Sequence, residues 1–256
     1  ADALYDAQEW LAGSPLTGAS PMGPREPVPN VVRSVSPARL AILAGSLARF
    51  HVSTAHISPE PGDQASPLSV RLNRIMEATE ARYESLLPAV LTGTEGPELH
   101  VALRWLELLP KAVEAAHEAC GDFPEGLRRG YALCHGDLWP AHVYFEGDAF
   151  VGFTDFESLC FASPALDLAQ LLLHFGGWEI REEVLRDYDR LAPLDERDRS
   201  LVPLEAVADL ADEGFWALEA LYGVASYRTT AAQRAAHSLN LRELLVSLEP
   251  IAEEIR

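Results

Sequence analysis

The segment YALCHGDLWPAHVYFEGDAFVGFTDFES, from Tyr131 to Ser158, departs from the helical periodicity of the rest of the chain. It contains three short runs rich in aromatic and β-branched residues, YALC, HVYFE and FVGFT, and Gly147-Asp148 separates the last two. This pattern predicts a strand, a tight loop and a β-hairpin. Because the strand ends in His-Gly-Asp and the hairpin returns at Asp155, we expect Asp137 and Asp155 to converge. Such a pair suits a base for a hydroxyl together with a ligand for a hard cation, although aspartates at strand ends are equally often caps or turn residues.

The rest of the chain has helical periodicity. Leu4 to Leu16 reads as a strand that ends in a Gly-Ser-Pro turn, and a proline-rich loop follows it. The sequence predicts Ser36 as an N-cap, with Pro37 at the first helical position of an amphipathic helix. The predicted helices run from Ser36 to His51, from Leu68 to about Leu87, from Pro97 to about Cys120 with a kink or division at Pro110, from Ala165 to Phe175, from Glu182 to Leu191, from Leu204 to Tyr227 and from Ala231 to about Ile255.

Composition excludes several classes of function. The 256 residues, 48% of them hydrophobic, are enough to bury a sizeable core. A formal charge of -19 argues against a nucleic-acid or anionic-membrane partner, and favours a solvated acidic surface over a funnel for cations. The three cysteines, Cys120, Cys134 and Cys160, lack metal-ligand spacing and fit reduced core thiols. Without a long apolar run or a signal peptide, the expected location is cytoplasmic.

The segment HGDLWPAHVYFEGDAFVGFTDFESLCFASPALDLAQLL resembles the catalytic segment of the aminoglycoside phosphotransferase and choline kinase family, small-molecule kinases with a protein-kinase-like fold. The resemblance extends upstream to LARFHVSTAH and to LYDAQEWLAGSPL, and it covers Leu4 to about Phe175. It implies an α+β, mainly helical fold, that of a protein-kinase-like carboxyl-terminal lobe with a small catalytic β-hairpin. Residues 1–35 would form a residual hinge strand and a proline-rich loop. Residues 36–256 would form the carboxyl-terminal lobe, with the catalytic and metal-binding segment at 130–168.

The resemblance also implies roles for individual residues. Asp137 would be the catalytic base, and His135 would belong to the same catalytic loop as a group that fixes it rather than one that carries a proton. Asp155 would hold the magnesium that bridges the nucleotide phosphates. Asp167 would be structural and would bond back to the catalytic loop.

ATP and Mg are the cofactors that the family implies. The hinge residues that would meet adenine through their backbone are Glu9, Trp10 and Leu11. For Trp10, packing at a lobe boundary is as good an explanation as nucleotide contact.

Two departures from the family pattern bear on activity. His142 stands where the family has a metal-binding Asn, and imidazole is not a ligand that magnesium prefers. Either the second metal contact is lost or the site prefers a softer ion such as manganese, and we favour loss of the contact. In addition, most of the amino-terminal lobe of the family is absent, and Lys111, the only lysine of the chain, lies on a helix before the catalytic loop. We therefore expect a kinase with impaired turnover.

Three explanations of these departures stay open: a fragment of a full-length kinase, a natural pseudokinase that acts as a binding or scaffolding module, and an enzyme that borrows a lobe from a partner. An uncovered hinge strand predicts a homo-oligomer or a partner protein at that edge.

The expected substrate is a small molecule with a hydroxyl group, and aminoglycosides, choline-like amines and sugars all fit. An aromatic and acidic wall on the carboxyl-terminal helices would suit a cationic amine, although core packing of the aromatic residues explains the pattern better. The candidate substrate residues are Trp178, Glu179, Trp216, Glu219 and Tyr222.

Overall fold

Two small antiparallel sheets carry the segment predicted to be catalytic. The computed structural model describes residues 14–15, 35–57, 67–93, 97–121, 131–224 and 229–255. In the first sheet, β1 (Ser14–Pro15) pairs with β3 (Val143–Glu146), which pairs with β4 (Ala149–Phe153). In the second, β2 (Ala132–Cys134) pairs with β5 (Cys160–Ala162). The predicted hairpin is therefore confirmed, with Gly147 in the left-handed region at its turn.

Seven helices make up most of the described chain. Their bounds are α1 (Pro37–Thr54), α2 (Pro67–Gly93), α3 (Pro97–Gly121), α4 (Ala165–Leu171), α5 (Arg181–Asp189), α6 (Glu196–Tyr222) and α7 (Ala231–Glu254). A π-helical turn, Leu172–Gly176, follows α4, and a 3-10 turn, Pro140–His142, precedes β3. The mainly helical α+β class is confirmed.

Helix α6 lies at the centre of the helical body. It packs against α2, α3, α4 and α7, and most of its residues from Leu201 to Ala211 are fully buried. Trp105 of α3 is fully buried beside α6, and its indole N–H donates to the carbonyl of Leu241 on α7 at 2.8 Å. This buried helix therefore forms the core around which the other helices pack.

Helix α1 connects the helical body to the sheets. Ser36 caps it, since its side chain accepts a hydrogen bond from the Arg39 N–H, and Pro37 is at its first position, as predicted. The helix packs mainly against α5 and also contacts α4, β2 and β4. The buried face predicted from the periodicity, which includes Leu40, Leu47 and His51, is confirmed.

Several boundaries differ from the sequence prediction. Ser14 and Pro15 pair with β3 instead of forming a turn, because the chain at this point runs alongside the hairpin. Helix α3 runs through Pro110 as one element, and α6 begins at Glu196, before Pro203, because tertiary packing offsets the hydrogen bond that each proline removes. The helix beginning at Ala165 changes to a π-turn at Leu172. Strand β5 was not predicted.

None of the helices in the described part of the chain combines the length and the apolar character needed to cross a membrane.

Candidate active site

The loop after β2 is held by Asp167, at the start of α4. The backbone N–H of His135 donates to Asp167 Oδ2 at 2.7 Å, and that of Gly136 donates to Asp167 Oδ1 at 2.9 Å. Asp167 is completely buried. Asp167 thus binds two consecutive backbone N–H groups of this loop.

Helix α1 adds a further support beneath this loop. His51 Nε2 lies 3.0 Å from Asp167 Oδ2, and His51 Nδ1 lies 2.7 Å from the Tyr188 hydroxyl of α5. If Nε2 carries the proton and donates to the carboxylate, Nδ1 accepts from Tyr188. Three helices are thus linked to the loop through one buried carboxylate.

Gln170 is a site residue that sequence reasoning missed. Its amide Oε1 accepts from the Leu138 N–H at 2.8 Å, and its Nε2 donates to the Gly136 carbonyl at 3.2 Å. Gln170 lies three residues after Asp167, so both side chains are on one face of α4. That spacing was the available signal, but a glutamine in an apolar helix does not by itself indicate which backbone it binds.

His135 fixes the loop from within. Its Nε2 is 2.8 Å from the Thr154 carbonyl, so Nε2 carries the proton and donates, which leaves Nδ1 to accept from the Asp137 N–H at 3.3 Å. Burial lowers the pKa of His135 below its usual value. The neutral imidazole of His135 thus binds the loop backbone at both of its nitrogens.

His142 lies between the two aspartates. Its Nδ1 is 2.9 Å from the Asp137 carbonyl oxygen and 3.5 Å from Asp137 Oδ2, while its Nε2 is 3.3 Å from Asp155 Oδ2. The Trp139 indole N–H donates to the same Nε2 at 2.8 Å. Because Nδ1–H donates to the Asp137 carbonyl, the lone pair of Nε2 is the acceptor for Trp139.

The two carboxylates themselves are accessible. The Asp137 side chain is 51% exposed and that of Asp155 is 49% exposed, so each can reach a ligand. Asp155 has φ 62° and ψ 66°, and among the described residues it is the only one other than glycine with a positive φ. A left-handed conformation at a non-glycine residue costs free energy and is concentrated at functional sites.

The loops that carry these aspartates touch through their backbones. Gly136 has φ +77°, and a Cβ atom there would lie 2.3 Å from the Ser158 carbonyl oxygen. A side chain at this position is therefore excluded both by conformation and by space. Phe156, the residue after Asp155, packs against two further rings. It stacks on Phe50 with ring centroids 6.1 Å apart, and its centroid lies 5.0 Å from that of the His135 ring.

A buried group of charges lies between α2 and α6. Arg71 lies 2.5 Å from Asp209 Oδ1 and 3.0 Å from Asp212 Oδ2, and although burial disfavours its charge, these carboxylates raise its pKa above the usual value. Glu205, one turn before Asp209, is 2% exposed. Burial raises the pKa of Glu205 to about 8, with Arg71 opposing that shift and Asp209 adding to it.

Four of the five candidate substrate residues contact side chains or backbone of helices α2, α3 and α7. Trp178 is buried, and its indole N–H donates to Glu254 of α7 at 3.2 Å, while Glu179 is exposed. Trp216 packs edge-on against His237 with ring centroids 4.4 Å apart. The two others meet α2 and α3: Glu219 pairs with Arg82 at 3.0 Å, and the Tyr222 hydroxyl donates to the Glu98 carbonyl at 3.4 Å.

The residues predicted to form the hinge, Glu9, Trp10 and Leu11, lie outside the described residues.

Comparison with known proteins decides the family. The sequence profile of the phosphotransferase enzyme family matches residues 3–201. The chain belongs to this family. A homoserine kinase from Hyphomonas neptunium is 28% identical to this phosphotransferase-family chain over 170 residues, which are 66% of the chain and 42% of the relative. The match therefore spans less than half of that relative's length.

Two solved structures confirm the fold. An aminoglycoside phosphotransferase from Alicyclobacillus acidocaldarius has a TM-score of 0.55 and 18% identity, and the match covers 96% of this chain and 71% of that one. A spectinomycin phosphotransferase in complex with ADP and spectinomycin has a TM-score of 0.60 and 11% identity, over 89% of this chain and 68% of that one. The resemblance drawn from the sequence motif, to the aminoglycoside phosphotransferases and their relatives, is confirmed.

Proposed function

We propose that this phosphotransferase-family chain transfers the γ-phosphoryl group of ATP to a hydroxyl group of a small molecule. The observation that carries the proposal is the arrangement of Asp137 and Asp155 on either side of the His142 ring, with each carboxylate half exposed and the Asp137 backbone held by His135 and His142. Phosphoryl transfer depends mostly on position and charge, so a pair of fixed and accessible carboxylates is what it requires.

In this proposal Asp137 orients the acceptor hydroxyl and takes its proton. Its carboxylate is accessible, whereas the His135 ring is buried and uses both nitrogens on the backbone. His135 therefore stays a positioning residue, and the base is Asp137.

Asp155 is the residue that would hold magnesium. Its oxygens are hard donors that suit this ion, and a bound magnesium would neutralise charge on the phosphates. His142 does not fit the role of a second ligand, because its Nε2 lone pair accepts the Trp139 indole N–H. The expected loss of the second metal contact is consistent with this geometry.

We propose a hydroxylated amine, of the class to which homoserine belongs, as the acceptor. The support is the similarity to a homoserine kinase and the exposed carboxylate of Glu157, two residues after Asp155, which could meet an ammonium group. The five candidate substrate residues of the carboxyl-terminal helices stay predictions, as do a cytoplasmic location and a partner at the hinge edge.

The test is a coupled ATP-consumption assay on the purified chain with Mg²⁺ and a panel of homoserine, choline, ethanolamine and spectinomycin. Turnover should require one of these acceptors, and Asp137→Asn should lower kcat about 100-fold or more. Asp148→Asn, which changes a 90% exposed carboxylate in the turn of the same hairpin, is the matched control and should leave kcat unchanged. Acceptor-dependent turnover that survives Asp137→Asn would refute the assignment of the base.

A second candidate function is a binding module without turnover. It is favoured by His142 and by Lys111, the only lysine, which lies on α3 with a 59% exposed side chain 3.9 Å from Glu107. In this case nucleotide or acceptor should raise the melting temperature without ATP consumption. Stabilisation by acceptor alone, unchanged in Asp155→Asn, would favour this candidate over the kinase.

A further inference from the structure

We propose that Gln170 is a positioning residue for Asp137, and that its amide fixes the two peptide units from which the catalytic carboxylate projects. The role in phosphoryl transfer rests on the function proposed above, whereas the placement of the loop does not. Gln170 is 6% exposed and projects from α4 into the loop after β2. Nothing in the sequence motif of the loop itself identifies this residue.

The contacts of Gln170 fall on both sides of Asp137. Its Nε2 donates to the carbonyl of Gly136 at 3.2 Å, in the peptide before Asp137, and its Oε1 accepts from the N–H of Leu138 at 2.8 Å, in the peptide after it. One side chain thus bridges the residue that carries the carboxylate.

Two histidines complete the set of contacts. The Asp137 N–H donates to His135 Nδ1, and the Asp137 carbonyl accepts from His142 Nδ1–H at 2.9 Å. All four polar groups of the two peptide units that flank the Asp137 α-carbon therefore have a side-chain partner. With both peptide planes held, the remaining freedom of the carboxylate is rotation about its own side-chain bonds.

The different contacts of Asp167 and Gln170 follow from the hydrogen bonds that a carboxylate and an amide can make. The N–H groups of His135 and Gly136 are both donors and suit a carboxylate, which only accepts. The Gly136 carbonyl and the Leu138 N–H are an acceptor and a donor, and among side chains of this length an amide supplies both partners. Glutamate at position 170 would face the Gly136 carbonyl with a second acceptor, and leucine would satisfy neither group.

The closing experiment compares Gln170→Leu, Gln170→Glu and a matched control, Thr79→Val. Thr79 is also buried, and its hydroxyl donates to the Ile75 carbonyl within α2 at 2.7 Å, away from the loop. Amide hydrogen exchange, resolved at Leu138, is measured on the full chain without nucleotide, together with the melting temperature and, where the parent turns over, kcat and KM for ATP.

Gln170→Leu should raise the exchange rate at Leu138 about tenfold, the change that corresponds to loss of one buried hydrogen bond. Gln170→Glu should keep that rate near the parent value, since it retains the acceptor, and Thr79→Val should leave it unchanged. With turnover, both Gln170 variants should lower kcat with little change in KM for ATP, because Asp137 meets the acceptor and not the nucleotide base.

Unchanged exchange at Leu138 in folded Gln170→Leu would overturn the inference, and so would an increase matched by Thr79→Val. Increased exchange with an unchanged kcat would also overturn it. Absence of turnover in the parent would count against the proposed kinase function, while the exchange at Leu138 would still decide whether Gln170 holds the loop.

Discussion

Glu205 is a carboxylic acid whose surroundings disfavour its charged form. It is fully buried on α6, close to Asp209 and to Asp167, and Arg71 is shared with two other carboxylates. Its pKa of about 8 in the folded chain lies above the ordinary value of 4.5. Between these two values the unfolded chain has released this proton while the folded chain retains it, so the contribution of Glu205 to stability falls as the pH rises.

We therefore predict that Glu205→Gln makes the free energy of unfolding less dependent on pH between 4.5 and about 8. As the pH rises through this window, the free energy of unfolding of the variant should increase relative to that of the parent, by about 1.4 kcal/mol for each pH unit at most. Urea denaturation of both proteins at a series of pH values measures the difference. Glu118→Gln, at an exposed position of α3, is the control and should follow the parent. A constant difference between Glu205→Gln and the parent at every pH would contradict the prediction.

The residues of the site divide into those that a sequence can indicate and those that it cannot. Asp137, Asp155 and Asp167 stand in a recognisable local motif, and the structure brings all three to one loop cluster. The acceptor role of His142 Nε2 depends on Trp139, and the role of Gln170 depends on backbone groups 32 and 34 residues earlier. Such contacts depend on tertiary geometry, and the spacing of Gln170 from Asp167 shows only that the two share a helix face, not which backbone groups Gln170 binds.

At the scale of elements, Gly214 of α6 is a position where the Trp105 ring of α3 lies directly against the helix backbone. A Cβ atom on Gly214 would lie 2.5 Å from Trp105 Cζ3. Trp105 cannot easily move, because it is completely buried and its indole N–H is bonded to Leu241. The glycine thus allows a large ring of one helix to lie against the backbone of the next.

We predict that Gly214→Ala lowers the free energy of unfolding by about 1–3 kcal/mol, the usual cost of overpacking a core. The control is Gly45→Ala in α1, where the new methyl group would meet Leu191 Cδ1 at an ordinary 3.6 Å. That variant should be neutral or more stable by up to about 1 kcal/mol, because alanine is the better helix former. Urea denaturation compares the two, and equal effects would show that Trp105 does not determine the cost at Gly214.

Periodicity located the helices well, and their ends less well. The buried face of α1 is predicted correctly by the helical spacing of Leu40, Leu43 and Leu47. For α6 the expected start is Leu204, yet the helix begins at Glu196 with the Asp195 side chain as its cap and Pro203 inside it. Strand β5 has three residues and exists by pairing with β2, so a local pattern is too short to reveal it.

At the scale of the whole molecule, a charge of -19 is distributed over a surface whose basic residues are almost all arginine. Several of these arginines connect different elements, as Arg39 does with Asp148, Arg104 with Glu249 and Arg82 with Glu219. Exposed pairs of this type contribute little each, while the excess of negative charge acts against the folded state as a whole.

We predict that added sodium chloride raises the melting temperature, by about 2–4 °C, because screening weakens the repulsion between carboxylates more than it weakens the pairs. Sucrose at equal osmolality is the control for effects that do not depend on charge, and the gain in salt should exceed the gain in sucrose at low concentration. A melting temperature that falls with salt would show that the pairs between elements outweigh the repulsion.

The backbone contact between Gly136 and Ser158 has a mechanical consequence. With no side chain to separate them, the loop of Asp137 and the loop of Asp155 abut directly, and the His135–Thr154 bond joins them a second time. The two carboxylates should therefore move as one rigid body. Any opening and closing during a reaction cycle would have to come from segments that move over this pair, since parting the pair would break the loop supports themselves.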